Sequence, residues 1–336
     1  MGGRRAYALA LGLVGCAATS SDDEGADGGF GDGGSGGAGT ATAESSAGSA
    51  NDDDDDDDDA ADDDDDDDET GGDLKLDVGA ATTGALPEAG CQKIDFLFVI
   101  DNSESMVDEQ AALAASFDGF IDAIVETLNV EDYHVMVVDT DGSPYLEGCD
   151  GVLGAGRVTS GAGKDCAIAG DQRYMTVDQP DYAEAFSCVA LVGATGSGKE
   201  HIMEALFESI TTLSQPGECN AGFLRDDAIL VVTVIADEGD FVTPGTPQDW
   251  HDTVVAAKQG QEDAVVPLGI ISDLGKEGAP CTVVGGANTN APFIEMFIDS
   301  FEHGRRHSVC DPPYDDFFLE AVTSVELSCE SFEPQG

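Results

Sequence analysis

A cluster of oxygen-bearing side chains follows the first strongly apolar run of the chain. Residues 94–100 read Ile-Asp-Phe-Leu-Phe-Val-Ile, and the sequence Asp-Asn-Ser-Glu-Ser follows at once. A turn at the end of a strand can direct Asp101, Ser103 and Ser105 towards one point above a sheet. One carboxylate and two hydroxyls are hard oxygen ligands of the kind that Mg²⁺ and Mn²⁺ prefer. The spacing therefore predicts a divalent-cation site, and the alternative is that these side chains cap the next helix.

Two later segments carry side chains that would complete such a site. Asp237 directly follows the most apolar run of the chain, residues 228–236, and a Gly-rich loop before His201 contains Thr195 and Ser197. Together with Asp101, this pattern resembles the metal-ion-dependent adhesion site of von Willebrand factor A domains. In that family a threonine from a second loop and an aspartate after the central strand join the Asp-x-Ser-x-Ser motif. The resemblance assigns the role of the threonine to Thr195, with Ser197 as the alternative, and the role of the aspartate to Asp237.

The resemblance covers about residues 91–336 and implies a binding function rather than catalysis, so we expect no enzyme activity. In the family the cation, Mg²⁺ or Mn²⁺, keeps an open coordination position that a carboxylate of a protein partner fills. The stretch 237–240, Asp-Glu-Gly-Asp, and the closing stretch 329–334 are similar to those of cysteine-rich bacterial lipoproteins that carry this domain.

Other acidic residues offer the alternative of a second metal site. Glu238 and Asp240 would form a calcium-type site with Asp237, and Asp139 and Asp141 would join it from the end of the second predicted strand. An exposed charged loop explains these residues equally well.

Residues 193–200, Gly-Ala-Thr-Gly-Ser-Gly-Lys-Glu, nearly match the phosphate-binding loop of nucleotide hydrolases, and Val231–Glu238 resembles their apolar run that ends in Asp-Glu. Glu200, however, occupies the position where a magnesium-binding hydroxyl is required. No HExxH or GxSxG motif occurs, and His303 and His307 are interpreted as part of an exposed basic loop. A nucleotide hydrolase is therefore the weaker alternative.

Apolar periodicity predicts alternating strands and helices. The predicted strands are residues 94–100, 133–138, 228–236 and 264–271, and the predicted helices are 109–128, 181–192, 201–213, 248–258, 291–301 and 314–327. Residues 142–175 are rich in glycine and are predicted to be a loop. This alternation predicts an α/β fold with a doubly wound, mostly parallel sheet flanked by helices, in which ligands bind beyond the carboxyl ends of the strands.

The net charge of −56 limits the partners of the protein. Residues 17–90 are mostly Gly, Ala, Ser, Thr and Asp with two long aspartate runs, and they predict a disordered acidic linker. From Cys91 onward, 44 acidic and 10 basic side chains still give −34. Nucleic acid would be repelled, while divalent cations and basic partners would be attracted.

The N-terminus predicts export. Arg4 and Arg5 precede the apolar residues 6–14, a run too short to cross a bilayer as a helix. Residues 13–16, Leu-Val-Gly-Cys, resemble the lipobox of bacterial lipoproteins, which implies a signal peptide over 1–16 and a lipid on Cys16. Ala17 favours the outer membrane over the inner one. The expected location is thus the bacterial cell envelope, and a structural envelope lipoprotein without metal-dependent binding is the competing interpretation.

The other eight cysteines, an even number in an exported chain, favour disulfides over a zinc cluster, because none forms a CxxC pair. Many pairings are possible. We predict that Cys91 and Cys329 join the two ends of the domain and that Cys149 pairs with Cys166.

Overall fold

A computed structural model describes residues 92–128, 130–143, 145–282 and 289–334. The predicted signal peptide with Cys16, the acidic linker over 17–90 and Cys91 lie outside the described residues, so the structure does not test them.

Six strands form one mixed sheet. Their bounds are β1 Lys93–Ile100, β2 Asp132–Asp139, β3 Met175–Thr176, β4 Ile229–Ala236, β5 Val265–Ile271 and β6 Arg305–Ser308. The spatial order is β3-β2-β1-β4-β5-β6, and every neighbouring pair is parallel except β2 and β3. This arrangement confirms the predicted α/β fold class.

Strands β1 and β4 lie at the centre of the sheet because their side chains are apolar on both faces. All eight residues of β4 are buried, and so is every residue of β1 after Lys93. On one face, Phe96 and Phe98 belong to the larger core, and on the other face Leu97 and Val99 belong to the smaller core. Continuous apolar strands of this kind are typical of parallel sheets covered by helices on both sides.

The helices divide between these two cores. Their bounds are α1 Val107–Leu128, α2 Tyr182–Ala190, α3 Ile202–Ile210, α4 Pro247–Ala257, α5 Pro292–Ile298 and α6 Asp315–Ser331. Helices α1, α2 and α6 contribute to the larger core, and α3, α4 and α5 to the smaller one. All six were predicted, with ends that differ by at most four residues. No helix in the described ranges combines the length and apolar character needed to span a membrane.

Two regions differ from the sequence prediction. The segment 142–175, predicted to be a loop, contains a short 3-10 turn at 148–151 and ends in the edge strand β3. Residues 305–308, interpreted as an exposed basic loop, instead form β6 and pair with β5. His307 stacks on Phe317 of α6, with ring centroids 5.5 Å apart. Pairing with the edge of β5 and this ring contact outweigh the polar composition of the segment.

Three disulfides lie within the described residues: Cys149–Cys219, Cys166–Cys188 and Cys281–Cys310. The predicted Cys149–Cys166 pair is wrong, because the segment 142–175 is tied to two separate parts of the domain. Cys188 belongs to α2, and Cys219 follows α3. Cys329 is disulfide-bonded, but the predicted pair Cys91–Cys329 includes a residue outside the described ranges and stays a prediction.

A buried ion pair lies near the amino end of the central strands. Asp95 in β1 is fully buried, and both of its carboxylate oxygens accept hydrogen bonds from Arg225, one from Nε and one from the backbone N–H, each at 2.8 Å. Lys258 is buried nearby and donates from Nζ to the carbonyl oxygens of Arg225 and Ala228. The carboxylate of Asp95 is thus hydrogen-bonded by Arg225, and the positive charge of Lys258 also lowers its pKa.

We expect Arg225→Met to lower the free energy of unfolding by about 3–5 kcal/mol, because it removes the guanidinium that pairs with the buried Asp95 carboxylate. The matched control is Arg306→Met, which removes a partly exposed guanidinium paired with Asp299 and Glu295 and should cost less than about 1 kcal/mol. Urea unfolding followed by circular dichroism measures both. Equal losses for the two variants would contradict the importance of the buried pair.

Candidate metal site

The pairing of β1 with β4 places two aspartates side by side at the carboxyl edge of the sheet. Ile100 lies opposite Ile235 in the parallel register, and the backbone N–H of Asp101 donates to the carbonyl of Ile235 at 2.9 Å. Asp237 follows one residue after the end of β4. Both aspartates are buried, Asp101 completely. The sheet itself therefore brings together two acidic residues that are far apart in sequence.

The turn after β1 directs two hydroxyls towards the same region. The backbone N–H of Ser103 donates to Oδ1 of Asp101 at 2.7 Å, which fixes the turn. The hydroxyl oxygens of Ser103 and Ser105 lie 3.2 Å apart. The Ser103 side chain makes no capping hydrogen bond to the 3-10 turn that it precedes. Helix capping thus does not account for the position of this hydroxyl.

Electrostatics shows that Asp101, Asp237 and the two serines form one group. Burial raises the pKa of Asp101, and the negative charge of Asp237 raises it further, while the hydrogen bonds from Ser103 oppose the shift. Burial also raises the pKa of Asp237, and the hydroxyls of Ser105 and Ser103 oppose this rise as hydrogen-bond donors. The structure therefore brings together the four predicted residues 101, 103, 105 and 237.

A second loop is docked onto this turn by Gln110 of α1. Its side-chain amide donates to the carbonyls of Asp101 at 3.0 Å and Gly193 at 2.8 Å, and its Oε1 accepts from the N–H of Gly193 at 3.2 Å. Further along, the N–H of Gly196 donates to the carbonyl of Asn102 at 2.9 Å. A Cβ atom at position 196 would lie only 2.0 Å from Oδ1 of Asn102, so glycine permits this close approach.

Glu200, at the end of this loop, is a buried acidic residue that the sequence interpretation did not assign to the site. Its side chain is buried, and its Oε2 accepts a hydrogen bond from the hydroxyl of Thr140. Burial raises the pKa of Glu200, and the charge of Asp101 adds to the rise. Glu200 is the sole acidic residue between positions 191 and 200. A single acidic residue in this loop was the signal in the sequence, although a sequence does not distinguish a buried carboxylate from an exposed one.

Thr195 and Ser197, the predicted ligands from this loop, lie near Asn102 and Asp141. The Thr195 side chain is exposed and lines a shallow cavity of about 330 Å³ together with Asn102, Asp139 and Asp141. The N–H of Ser197 donates to Oδ2 of Asp141 at 2.6 Å. Within the described residues, no hydrogen bond joins either side chain to Asp101. Metal ligation by Thr195, or by its rival Ser197, stays a prediction.

Three buried carboxylate oxygens at the site lack a hydrogen-bond donor: Oδ2 of Asp101, Oδ1 of Asp237 and Oε1 of Glu200. A buried oxygen without a donor or cation is costly, and such atoms are rare in folded proteins. Divalent cations such as Mg²⁺ and Ca²⁺ bind oxygen ligands of this type. The residues present therefore fit a divalent cation.

The second, calcium-type site does not form. Asp240 is turned towards α3, where its Oδ2 accepts from the N–H of Met203 at 2.9 Å, and its Oδ1 accepts from the N–H of Thr243 at 2.9 Å. Asp139 pairs with Arg157. In the part of the chain that the structure describes, no group of three Asp, Glu, His or Cys side chains is spaced to hold a metal ion. A cation at Asp101 would consequently need the serine hydroxyls among its ligands.

The phosphate-loop pattern at 193–200 is not in the setting that its function requires. A phosphate-binding loop joins a strand to a helix. Here the loop joins α2, which ends at Ala190, to α3, which begins at Ile202. Glu200 also stands where such a loop requires a magnesium-binding hydroxyl.

No protein-family model and no curated protein sequence matches the chain. Among solved structures, it is similar to proximal thread matrix protein 1 from the mussel byssus. Two of these structures give TM-scores of 0.38 and 0.37 at 13% and 17% identity, each over 72% of this chain. A third gives 0.36 at 11% identity over 70%. In the second of these structures, zinc occupies the metal-ion-dependent adhesion site (MIDAS) motif of the mussel protein.

The chain spans less than half the length of these mussel proteins: 49%, 46% and 48%. Likeness at this level adds nothing to what the sheet order already shows about the fold.

We expect Asp237→Asn to raise the free energy of unfolding of the metal-free protein at pH 7 by about 0.5–2 kcal/mol, because it removes one of several buried charges of the same sign. Urea unfolding in the presence of a chelator measures the change. The gain should shrink as the pH falls towards about 4, because Asp237, with its raised pKa, then becomes protonated and the two side chains become equivalent.

The matched control is Glu302→Gln, at an exposed position after α5, which should change the stability by less than about 0.5 kcal/mol. A loss of stability in Asp237→Asn under the same conditions would show that the carboxylate is satisfied without a cation.

Proposed function

We propose that residues 91–336 form a domain of the von Willebrand factor A type that binds a divalent cation through Asp101, Ser103, Ser105 and Asp237. The main support is the convergence, at the carboxyl edge of the sheet, of buried carboxylate oxygens that have no hydrogen-bond donor. Hydroxyl and carboxylate oxygens together favour Mg²⁺ or Mn²⁺ over softer metals. The sequence resemblance to the adhesion-site motif supports the same cation set.

The proposed activity is binding of a protein partner, with no catalysis. A bound cation supplies a positive centre that a partner's carboxylate can coordinate. The chain around the site holds exposed apolar side chains suited to such an interface: Phe241 and Val242 follow Asp237 closely in the same loop. The Phe241 ring contacts the exposed ring of Phe293 at 5.9 Å between centroids. Exposed apolar clusters with a polar rim are typical of protein interaction sites.

The proposed location is the bacterial cell envelope, with the lipid on Cys16 as the anchor and the outer membrane favoured. The support is the sequence of the N-terminus, together with disulfides in the domain, which form and persist in oxidising compartments. The acidic residues 17–90 would separate the domain from the membrane surface.

We expect Asp101→Ala to abolish specific binding of Mg²⁺ and Mn²⁺, because it removes the carboxylate at the centre of the site. Isothermal titration calorimetry on the full chain measures this binding. Any weak cation binding by the aspartate runs at 52–59 and 62–68 is common to both proteins, so the difference between wild type and variant isolates the site. Capture of envelope proteins on the wild-type chain should likewise require the cation and fail with chelator.

A variant that titrates like the wild type would overturn the proposed cation site. Urea unfolding serves as the control that Asp101→Ala remains folded. Partner capture that persists in chelator, with cation binding intact, would leave a metal site that does not mediate adhesion.

We expect Cys16→Ser to release the protein from bacterial membranes, because no thiol remains for lipid attachment. Partition between the detergent and aqueous phases of Triton X-114 measures the change: the wild type should enter the detergent phase and the variant the aqueous phase. The control is Cys91→Ser, which keeps the lipidation site. Equal partition of Cys16→Ser and wild type would contradict lipidation.

A further inference from the structure

We propose that the groove between the C-terminal ends of α3 and α4 binds a linear aliphatic polyamine. The groove has a volume of about 1090 Å³. Its lining includes Leu224 and Asp226, which precede the amino end of β4, whereas Asp237 follows the carboxyl end of that strand. A strand of this length extends over about 25 Å. The groove therefore lies far from the candidate metal site, and the inference does not depend on that site.

Part of the lining is apolar. Ile210 is buried at the end of α3, and Leu224, Ala256 and Ala257 line the same groove. Aliphatic carbon that packs on such a surface is removed from water, which stabilises the complex. A hydrated inorganic cation gains nothing from this contact, whereas a ligand with a methylene chain does.

The polar groups of the groove mainly accept hydrogen bonds. The hydroxyls of Thr211, Ser214 and Thr253 each donate to a backbone carbonyl nearby in the sequence, at 2.5, 2.7 and 2.8 Å. Each hydroxyl has a single hydrogen, so only its oxygen lone pairs remain for a ligand. The side-chain amide of Gln215 likewise donates to the carbonyl of Thr211, at 3.0 Å, and its Oε1 remains an acceptor.

The groove also carries negative charge. Asp226 and Asp252 line it, and both side chains are exposed. Hydrogen bonds from Gln248 and then from His251 lower the pKa of Asp252, so its carboxylate is ionised at neutral pH. No Lys, Arg or His side chain of the described residues lines the groove. Its two carboxylates are therefore open to a cationic ligand.

Two helix ends add to this negative charge. Helix α3 ends at Ile210 and α4 ends at Ala257, and both residues line the groove. The C-terminus of a helix carries about half an elementary negative charge, so it attracts cations. Neither helix has a basic residue in its last turn. Lys258, which follows α4, directs its ammonium to the carbonyls of Arg225 and Ala228 inside the fold.

These features together define the class of ligand. The acceptors, carboxylates and helix ends favour a cation that donates hydrogen bonds, and the apolar lining favours one with an aliphatic chain. A linear polyamine has both, because its ammonium groups are donors joined by methylenes. The lysine side chain has the same chemistry. A lysine-rich protein segment is therefore the other source of such a ligand, and the experiment must separate the two.

Isothermal titration calorimetry of the full chain with spermidine, at about 150 mM NaCl to screen distant charges, tests the proposal. We expect Asp226→Asn/Asp252→Asn to weaken binding about tenfold, because it removes both carboxylates of the groove. The matched control is Asp316→Asn/Glu320→Gln, which removes two exposed charges of α6 and should bind like wild type. Equal losses in the two double variants would show general attraction to the net charge and overturn the groove site.

A second pair of variants tests the location without a change of charge. Ala256→Trp adds a large side chain at an exposed position that lines the groove, and it should weaken spermidine binding at least as much as the double substitution. The control, Thr323→Trp, adds the same side chain at an exposed position of α6 and should bind like wild type. Unchanged binding by Ala256→Trp would place the ligand outside the groove and overturn the proposal.

The source of the ammonium groups is tested with trilysine whose ends are blocked, which carries the same charge as spermidine. We expect spermidine to bind more tightly, because it has no peptide backbone for the groove to accommodate. Tighter binding of trilysine, with the same dependence on Asp226 and Asp252, would assign the groove to a lysine-rich protein segment and overturn the polyamine assignment. Asp101→Ala should bind spermidine like wild type, since the metal site lies at the other end of β4. Thermal unfolding verifies that each variant is folded.

Discussion

The parallel pairing of β1 with β4 is the constraint on which the candidate site depends. Each strand is buried on both faces, so its register is fixed by packing against two separate cores. That register aligns the ends of the two strands, and the residues after them, Asp101 and Asp237, become neighbours. Helices on both sides exclude water from the strands but leave their carboxyl ends open. The sheet therefore positions the two aspartates of the candidate site, and the loops add its other side chains.

At the carboxyl edge of the sheet, the buried carboxylates that would bind a cation lower the stability of the metal-free fold. Burial raises the pKa values of Asp101, Asp237 and Glu200, so each of these carboxylates is unfavourable in the metal-free fold. Burial likewise raises the pKa of Asp95 to about 7, but Arg225 donates to both of its oxygens. The two ends of the sheet therefore differ in hydrogen bonding. Asp95, near the amino end, is paired within the fold, whereas the carboxylates at the carboxyl edge have oxygens without a donor. Such unsatisfied polarity is typical of functional sites.

The sequence was sufficient to predict the fold class, the six helices and four central strands, and the positions of Asp101 and Asp237, because apolar periodicity and strand ends are local features. The edge strand β6 was missed, since its residues Arg-Arg-His-Ser are polar and pair only because β5 offers a free edge. The pairing of Cys149 with Cys219 bridges 70 residues and depends on how the chain folds back. Glu200 was missed for a similar reason: its burial depends on Thr140, which is distant in sequence.

Asp240 joins the segment after Asp237 to helix α3. It lies three residues after Asp237, and its carboxylate holds the first turn of α3 through the N–H of Met203. The N–H of Glu204 also donates to the hydroxyl of Thr243 at 3.2 Å, so two hydrogen bonds join the segment after Asp237 to the start of α3. The strand end that carries Asp237 is thus fastened to the helix that begins just after Glu200, and both borders of the candidate site share one hydrogen-bonded support.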